Sequence, residues 1–213
     1  MNDLSASRRE YQRDSLDEST VNPDPFKQFA AWFADAEKAG IPDANAMHLA
    51  SVSKDGRPSG RIVLLKGIES GTFIFFTNYQ SRKGNDLDVN PACALTFYWS
   101  QLERQVRIEG PASRVDEQYA ENYFQSRPRD SQIGAWASPQ SSMIGGRAIL
   151  EERFRQIESK HKGQEKIPKP KQWGGYAVTP LLIEFWQGRP SRLHDRIQFT
   201  WTGSAWDIRR LAP

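Results

Sequence analysis

Between Trp186 and Arg196 the chain carries Arg192, His194 and Arg196, with Leu193 and Asp195 interleaved. In an extended strand side chains alternate faces, so the three basic groups are expected on one face and Leu193 and Asp195 on the other. Two fixed cations and an imidazole suit an anionic ligand undergoing proton or hydride chemistry. Taken alone, the segment fits a polar strand edge facing water equally well. A second set is Tyr123, Arg127 and Ser131. At i, i+4 spacing Tyr123 and Arg127 would share a helical face, and Ser131 follows beyond the break at Pro128. Phenol, guanidinium and hydroxyl are all donors, the set wanted around a phosphate monoester. Ser81-Arg82-Lys83, after Thr77, places a hydroxyl and two cations at a strand-to-helix junction. Free N–H groups and the positive dipole end favour an anion there; a capped surface helix with solvated cations is the alternative. The run Arg61-Ile62-Val63-Leu64-Leu65-Lys66 has a cation at each end and a centre expected to be buried. Those end cations meet either an anion or water.

These residues need elements to position them. Asp24-Pro25 reads as an N-cap and first helical residue, Phe26, Phe29, Ala30, Phe33 and Ala36 follow at helical spacing, and Gly40 closes the helix. Strands are expected over 47–53 and 58–66, joined at Asp55-Gly56, and over 72–77 after a Ser70-Gly71 turn. A short helix over 81–90 stops at Pro91, and strands follow over 92–99 and 104–115. Helices are expected over 116–126, 130–137 and 147–160, a Lys- and Pro-containing loop over 164–172, and strands again over 175–210. Strands every ten or so residues, with few crossover helices, argue for an antiparallel barrel. The fold class is therefore mainly β with α decoration. Residues 1–22 are polar and expected to be mobile, and residues 23–213 are expected to form a single domain.

Composition narrows the function classes. The chain has 213 residues, 38% hydrophobic and 26% charged, with a net charge of +3; this is ordinary for a globular domain able to bury a core. The charge is too mild, and basic runs with interleaved aromatics too few, to point to nucleic acid. Cys93 is the single cysteine, so no intrachain disulfide forms, and its apolar neighbours suggest a small buried hydrophobe. Three histidines without ligand spacing and one cysteine point to no metal site. G-x-G-x-x-G after a strand, the P-loop pattern and a G-x-S-x-G elbow are all missing. No secretory signal and no run of about 18 apolar residues are seen, which predicts a soluble cytoplasmic protein with no membrane partner.

The chain resembles the pyridoxine (pyridoxamine) 5′-phosphate oxidase family. The resemblance is carried by Arg8-Arg9-Glu10-Tyr11, Arg61 to Lys66, Ser81-Arg82-Lys83, Leu102 to Val106, Tyr123-Phe124, Ser126 to Trp136, Gln140-Ser141-Ser142, Trp173-Gly174-Gly175, Ile183 to Gly188, Arg192 to Arg196 and Arg210 to Pro213. It implies an FMN-binding split β-barrel, working as a homodimer with flavin at the subunit interface and a C-terminal dimerisation region. By the same resemblance Arg61, Ile62, Val63, Leu64, Leu65, Lys66, Phe76, Thr77, Arg82, Lys83, Gln105, Gln140, Ser141, Trp186 and Arg196 would hold FMN. Lys66, Tyr123, Arg127 and Ser131 would hold the substrate phosphate. Arg8, Arg9, Glu10 and Tyr11 would form a flap over the substrate. Arg192, Leu193 and His194 would contact the pyridine ring, with Arg192 and His194 catalytic. Phe76 departs from the family's frequent tyrosine, and Arg189-Pro190-Ser191 forms a variable insert. The implied reaction oxidises pyridoxine 5′-phosphate or pyridoxamine 5′-phosphate at C4′ to pyridoxal 5′-phosphate, with O2 as acceptor and H2O2 as product, ammonia also leaving from the amine. Seven cations (Arg61, Lys66, Arg82, Lys83, Arg127, Arg192 and Arg196) match two phosphates of about −1.5 to −2 each. Another split-barrel flavoprotein reductase would share the FMN contacts but need not keep Tyr123, Arg127, Ser131, Arg192 and His194 together. A non-catalytic carrier of FMN or pyridoxal phosphate is compatible with the same residues.

Overall fold

The structure is a computed structural model describing residues 9–213; Arg8, expected in the substrate flap, lies outside the described residues. The chain divides into two compact units. The first comprises residues up to 49, 94–110 and 180–213; the second comprises 50–93 and 111–179. Helix α1 spans Pro25–Lys38, capped by Asp24, whose carboxylate accepts from the Phe26 and Lys27 amides. Strand β1 spans Ala46–Val52, β2 Pro58–Leu64, β3 Gly67–Glu69 and β4 Thr72–Asn78. Helix α2 spans Arg82–Val89, β5 Ala92–Trp99 and β6 Arg104–Arg114. Helices α3 (Glu117–Ser126), α4 (Arg129–Ala137) and α5 (Arg147–Lys160) precede β7 (Trp173–Val178) and β8 (Leu182–Gln187). Strands β9 (Asp195–Trp201) and β10 (Trp206–Arg210) end the chain.

In the first unit the strand order is β10-β9-β8-β6-β5-β1. The β6–β8 register sets Gln105 opposite Trp186 and Arg107 opposite Glu184, and the β8–β9 register sets Trp186 opposite Arg196. Every second residue of these strands faces one layer: Val106, Ile108, Ile183, Phe185, Ile197 and Phe199 are all fully buried. Helix α1 covers that layer with Phe29 and Trp32, which meet Phe97 and Phe185 edge-on at 5.0 and 5.3 Å between centroids. From Arg9 onward the N-terminal segment is tied down, with Leu16 and Val21 buried. The Leu16 amide donates to Asp195, and Arg210 grips Glu18.

In the second unit β4 pairs with β3 and β7, and β7 with the end of β6. Phe73, Phe75 and Tyr176 fill its sheet core. A second cluster of Phe124, Ile133, Ile167 and Trp173 packs α3 and α4 against β7. Helix α5 contributes only its partly buried Phe154 and Ile157 to that cluster; it has no buried residue.

Three expectations change. The 58–66 run alternates instead of burying its centre, leaving Ile62 and Leu64 exposed at 63% and 39%. Helix α3 ends at Ser126 and Arg127 is extended (φ −74°, ψ 149°), because a residue before proline is driven out of the helical region. Tyr123 and Arg127 are therefore not two steps on one helical face. Arg192 does not belong to a strand either: residues 190–192 form a tight turn with Ser191 and Arg192 at φ of 57° and 62°, and β9 begins at Asp195. Pro190, with its fixed φ, starts this turn. The two-residue alternation therefore does not extend back from Arg196 to Arg192.

Candidate active site

In the second unit a cavity of about 460 Å³ is lined by Lys66, Phe76, Thr77, Lys83, Tyr123, Arg127, Ser131, Gln140 and the backbone run Ile62–Leu64, among others. Its floor is built by two junctions. At the first, β4 delivers Thr77 and turns into α2, whose cap Ser81 accepts from the Gly84 amide at 3.3 Å. That turn is so close that a side chain at Gly84 would collide with the Tyr79 main chain. It sets Lys83 inward, only 9% exposed. The Lys83 ammonium donates to Thr77 Oγ1 and Gln140 Oε1, both at 3.2 Å, and more distantly to Ser81. All three are neutral oxygens. Burial first, and the Arg61 charge second, hold its pKa below the ordinary lysine value.

At the second junction Pro128 ends α3 and starts α4, turning Arg127 and Ser131 toward the same cavity. The Arg127 guanidinium lies 4.7 Å from the Trp173 ring centroid and 5.7 Å from that of Phe124. Its Nη1 is buried with no hydrogen-bond partner, and burial lowers its pKa. Trp173, which the reading of single residues left without a role, closes this wall: it stacks on Phe76 at 5.3 Å, and Phe76 stacks on Tyr123 at 3.9 Å. Phenylalanine at position 76 thus does its packing through the ring face, which needs no hydroxyl. Burial also raises the Tyr123 pKa, so the phenol remains a donor near neutral pH.

A buried orphan N–H and a buried ammonium facing only neutral oxygens are costly unless an anion completes them. Among the described residues neither Lys83 nor Arg127 has a carboxylate partner. The donor set therefore fits phosphate, and FMN and a phosphorylated substrate each carry one. Lys66 and Arg82 are exposed. Arg61 is engaged differently: it donates to Ser51 and Ser59 and stands 4.0 Å from Asp86. Leu65 is buried, and Ser141 is exposed at a φ of 71°.

In the first unit a cavity of about 500 Å³ is lined by Arg9, Glu10, Tyr11, Arg189, Ser191, Arg192 and His194. His194 sits 4.6 Å from Trp186 and 5.7 Å from Tyr11, ring to ring. Its Nδ1 accepts the Arg189 amide at 3.1 Å, so the neutral ring carries its proton on Nε2. Burial, then the neighbouring Arg192, lowers its pKa, with Asp195 opposing. The histidine is thus a neutral Nε2–H donor at pH 7. Arg192 and Leu193 are exposed. Arg196 is clasped in a two-point pair by Glu184, at 2.8 and 3.1 Å, and also donates to the Ala212 carbonyl. Gln105 is half-buried beside Trp186 in the register. Asp195 serves the framework, taking bonds from Leu16 and Arg210. Cys93 is half-buried and burial pushes its thiol up to about 12, which leaves it inert. Among the described residues no group of acidic, histidine or cysteine side chains is arranged to hold a metal, and no helix is long and apolar enough to cross a membrane.

Residues 33–161 match the family model described as pyridoxamine 5′-phosphate oxidase, and residues 173–213 match the model of the pyridoxine 5′-phosphate oxidase C-terminal dimerisation region. A pyridoxine/pyridoxamine 5′-phosphate oxidase from Acaryochloris marina is 53% identical over 99% of this chain and 95% of its own. One from Burkholderia thailandensis is 53% identical over the whole of both chains. Among solved structures, PhzG from Burkholderia lata in complex with tetrahydrophenazine-1-carboxylic acid shares 27% identity at a TM-score of 0.87, covering 94% of this chain and 98% of that one. A pyridoxamine 5′-phosphate oxidase-related, FMN-binding protein from Nostoc punctiforme, at 15% identity and a TM-score of 0.70 over 90% of this chain and all of that one, shares the fold. The expected fold class, mainly β with helices of the split-barrel type, is borne out, and the chain belongs to the pyridoxamine 5′-phosphate oxidase family.

Proposed function

We propose that the protein is an FMN-dependent oxidase converting pyridoxine 5′-phosphate or pyridoxamine 5′-phosphate to pyridoxal 5′-phosphate, acting as a homodimer with flavin at the subunit interface. The observation that carries this reading is the pair of cations without a carboxylate partner, the buried Lys83 and the half-buried Arg127 with its unpartnered Nη1, lining one cavity. Bound FMN would supply the chemistry of hydride acceptance from substrate C4′ and of reoxidation by O2 to give H2O2. The chain's own residues bind and orient. Lys83, Thr77, Gln140, Arg61, Arg82 and Ser141, with the main chain of Arg61 to Lys66, would hold the cofactor, and Gln105 and Arg196 would be further cofactor contacts.

Arg127, Tyr123, Ser131 and Lys66 take the substrate phosphate. The guanidinium suits this role because it lines the cavity, carries a donor with no hydrogen-bond partner and offers the planar fork that matches phosphate. Arg192 and His194 address the pyridine ring. With Nδ1 occupied by the Arg189 amide, His194 offers the ring a proton-bearing Nε2 as a donor and does not serve as a base from that nitrogen. Arg192 would orient C4′ and, with the alcohol substrate, stabilise the alkoxide-like charge as the hydroxyl proton passes to solvent water; with the amine substrate it would favour the neutral amine over the ammonium. Tyr11 and Trp186, packed edge-on at 5.8 Å, exclude water from that side. A phenazine-type substrate, as bound by the Burkholderia lata protein, offers no phosphate for Tyr123, Arg127 and Ser131 together.

The test is an anaerobic titration. Purified protein should carry flavin absorbance, and pyridoxamine 5′-phosphate should bleach it without O2 and restore it on admitting air. Flavin that stays oxidised through the titration would reject the oxidase reading.

A further inference from the structure

Glu103 has no role in the site described so far, yet its carboxylate accepts three hydrogen bonds, all from the N-terminal segment. It follows a single helical turn, Ser100–Leu102, and adopts the left-handed conformation at φ 56°. A glutamate rarely takes that region without compensation. It is 4% exposed. One carboxylate oxygen accepts the Gln12 and Arg13 amides at 2.9 and 3.0 Å; the other accepts Arg9 Nη2 at 3.2 Å. Its carbonyl accepts the Gly188 amide at 2.7 Å and the Gln187 side chain at 3.3 Å. The residue therefore joins two otherwise distant stretches, the segment carrying Tyr11 and the turn leading to His194. The fit is close: a Cβ on Gly188 would come within 2.8 Å of the Tyr11 side chain and 3.0 Å of Glu103 Cβ. Glu10 adds one more tie, accepting the Ser191 amide at 3.4 Å.

We propose that Glu103 is a positioning residue: its carboxylate fixes the Arg9–Arg13 segment so that Tyr11 closes on Trp186 and His194, while its carbonyl sets the turn from which His194 departs. Both walls of the cavity then depend on one residue, one wall through its carbonyl and the other through a carboxylate satisfied by two backbone N–H groups and Arg9. A neutral amide cannot reproduce this, because one of its two polar atoms is a donor facing donors. The proposal rests on the reading of Tyr11 and His194 as substrate-facing.

The experiment compares full-length wild type with Glu103→Gln, Glu103→Asp and Arg9→Ala. In Glu103→Gln, loss of charge-assisted bonds worth about a tenfold change should appear as about a tenfold rise in KM for pyridoxamine 5′-phosphate. Turnover should hold within about twofold. Tryptic cleavage after Arg13 should accelerate by about the same tenfold factor, with flavin content and melting temperature close to wild type. Glu103→Asp keeps the anion and suits the left-handed backbone better, so it should recover part of the KM. Arg9→Ala, at an exposed position that cannot unfold the protein, should raise KM by roughly threefold in wild type and add nothing in Glu103→Gln. The proposal is overturned if KM and cleavage rate stay at wild-type values in Glu103→Gln. It is also overturned if the Arg9 and Glu103 effects simply add, or if flavin and melting temperature fall in step with KM and aspartate restores none of it. Proteolysis reads the latch without turnover, so an inactive wild type with the expected cleavage pattern counts against the oxidase reading alone.

Discussion

Single side chains carry the two sharpest claims. Arg127 is the cation with an unmet buried donor, so its removal should cost recognition of the phosphate specifically. Arg127→Ala is expected to lower kcat/KM for pyridoxine 5′-phosphate by about 30-fold, from the worth of hydrogen bonds to a charged group. Turnover of unphosphorylated pyridoxine, expected to be slow in the wild type, should change little, which steady-state kinetics on the two alcohols will show. Arg127→Lys should not rescue, since a point charge lacks the planar fork. His194 gives a pH prediction. Its folded pKa lies below the ordinary 6.5 because burial and Arg192 disfavour its charge. The unfolded state therefore binds more protons, and stability rises with pH. The contribution is complete above pH 6.5 and is lost as pH falls through the lowered value. Melting temperatures of wild type and His194→Asn at pH 7.5, 6.5 and 5.5 check this; the variant should show the shallower acid slope, and equal slopes would reject the assignment.

At the scale of elements, the strand-to-helix junction at Ser81 is the rigid part of the cofactor reading. Gly84→Ala would drive a methyl into the Tyr79 main chain, displacing the first turn of α2 that carries Lys83. A loss of about 3 kcal/mol is expected from such overpacking, and flavin content should fall with it, read by thermal melting and by absorbance. Asp24→Ala should cost about 1 kcal/mol for a lost cap with flavin content unchanged. Most of these elements were legible in the sequence, because caps, prolines and periodicity are local signals. Asp24-Pro25, Asp55-Gly56 and Pro91 each sit where their chemistry implied. What escaped depends on tertiary partners. Strand β3 is three residues long and exists through its pairing with β4. The centre of the Arg61–Lys66 run looked buried because it is apolar, but apolarity does not report which face has a neighbour. Arg192 looked like a strand residue because alternation was read through a proline-started turn. Trp173 and Glu103 lie in stretches that carry the family resemblance, but their roles depend on tertiary partners: one acts through stacking on Phe76 and Arg127, the other through main-chain donors 90 and 91 residues away.

At the scale of the whole molecule, the match of residues 173–213 to a dimerisation region and the exposed Ile62 and Leu64 point to a homodimer. Bare aliphatic side chains on a strand that lines this cavity are expected to be covered by a second copy. Ile62→Glu should shift the protein to monomer and release flavin, seen together by sedimentation velocity with dual-wavelength absorbance; a stable flavin-loaded monomer would contradict that arrangement. The central claim is that this family member is an oxidase that reads phosphate and reduces O2. It is tested most directly by following aldehyde and peroxide together, under air, with pyridoxine 5′-phosphate and then with pyridoxine. The account predicts equimolar pyridoxal 5′-phosphate and H2O2 from the phosphorylated alcohol and far slower turnover of the other. Flavin-loaded protein that makes neither product, or that turns over both alcohols equally well, would contradict it.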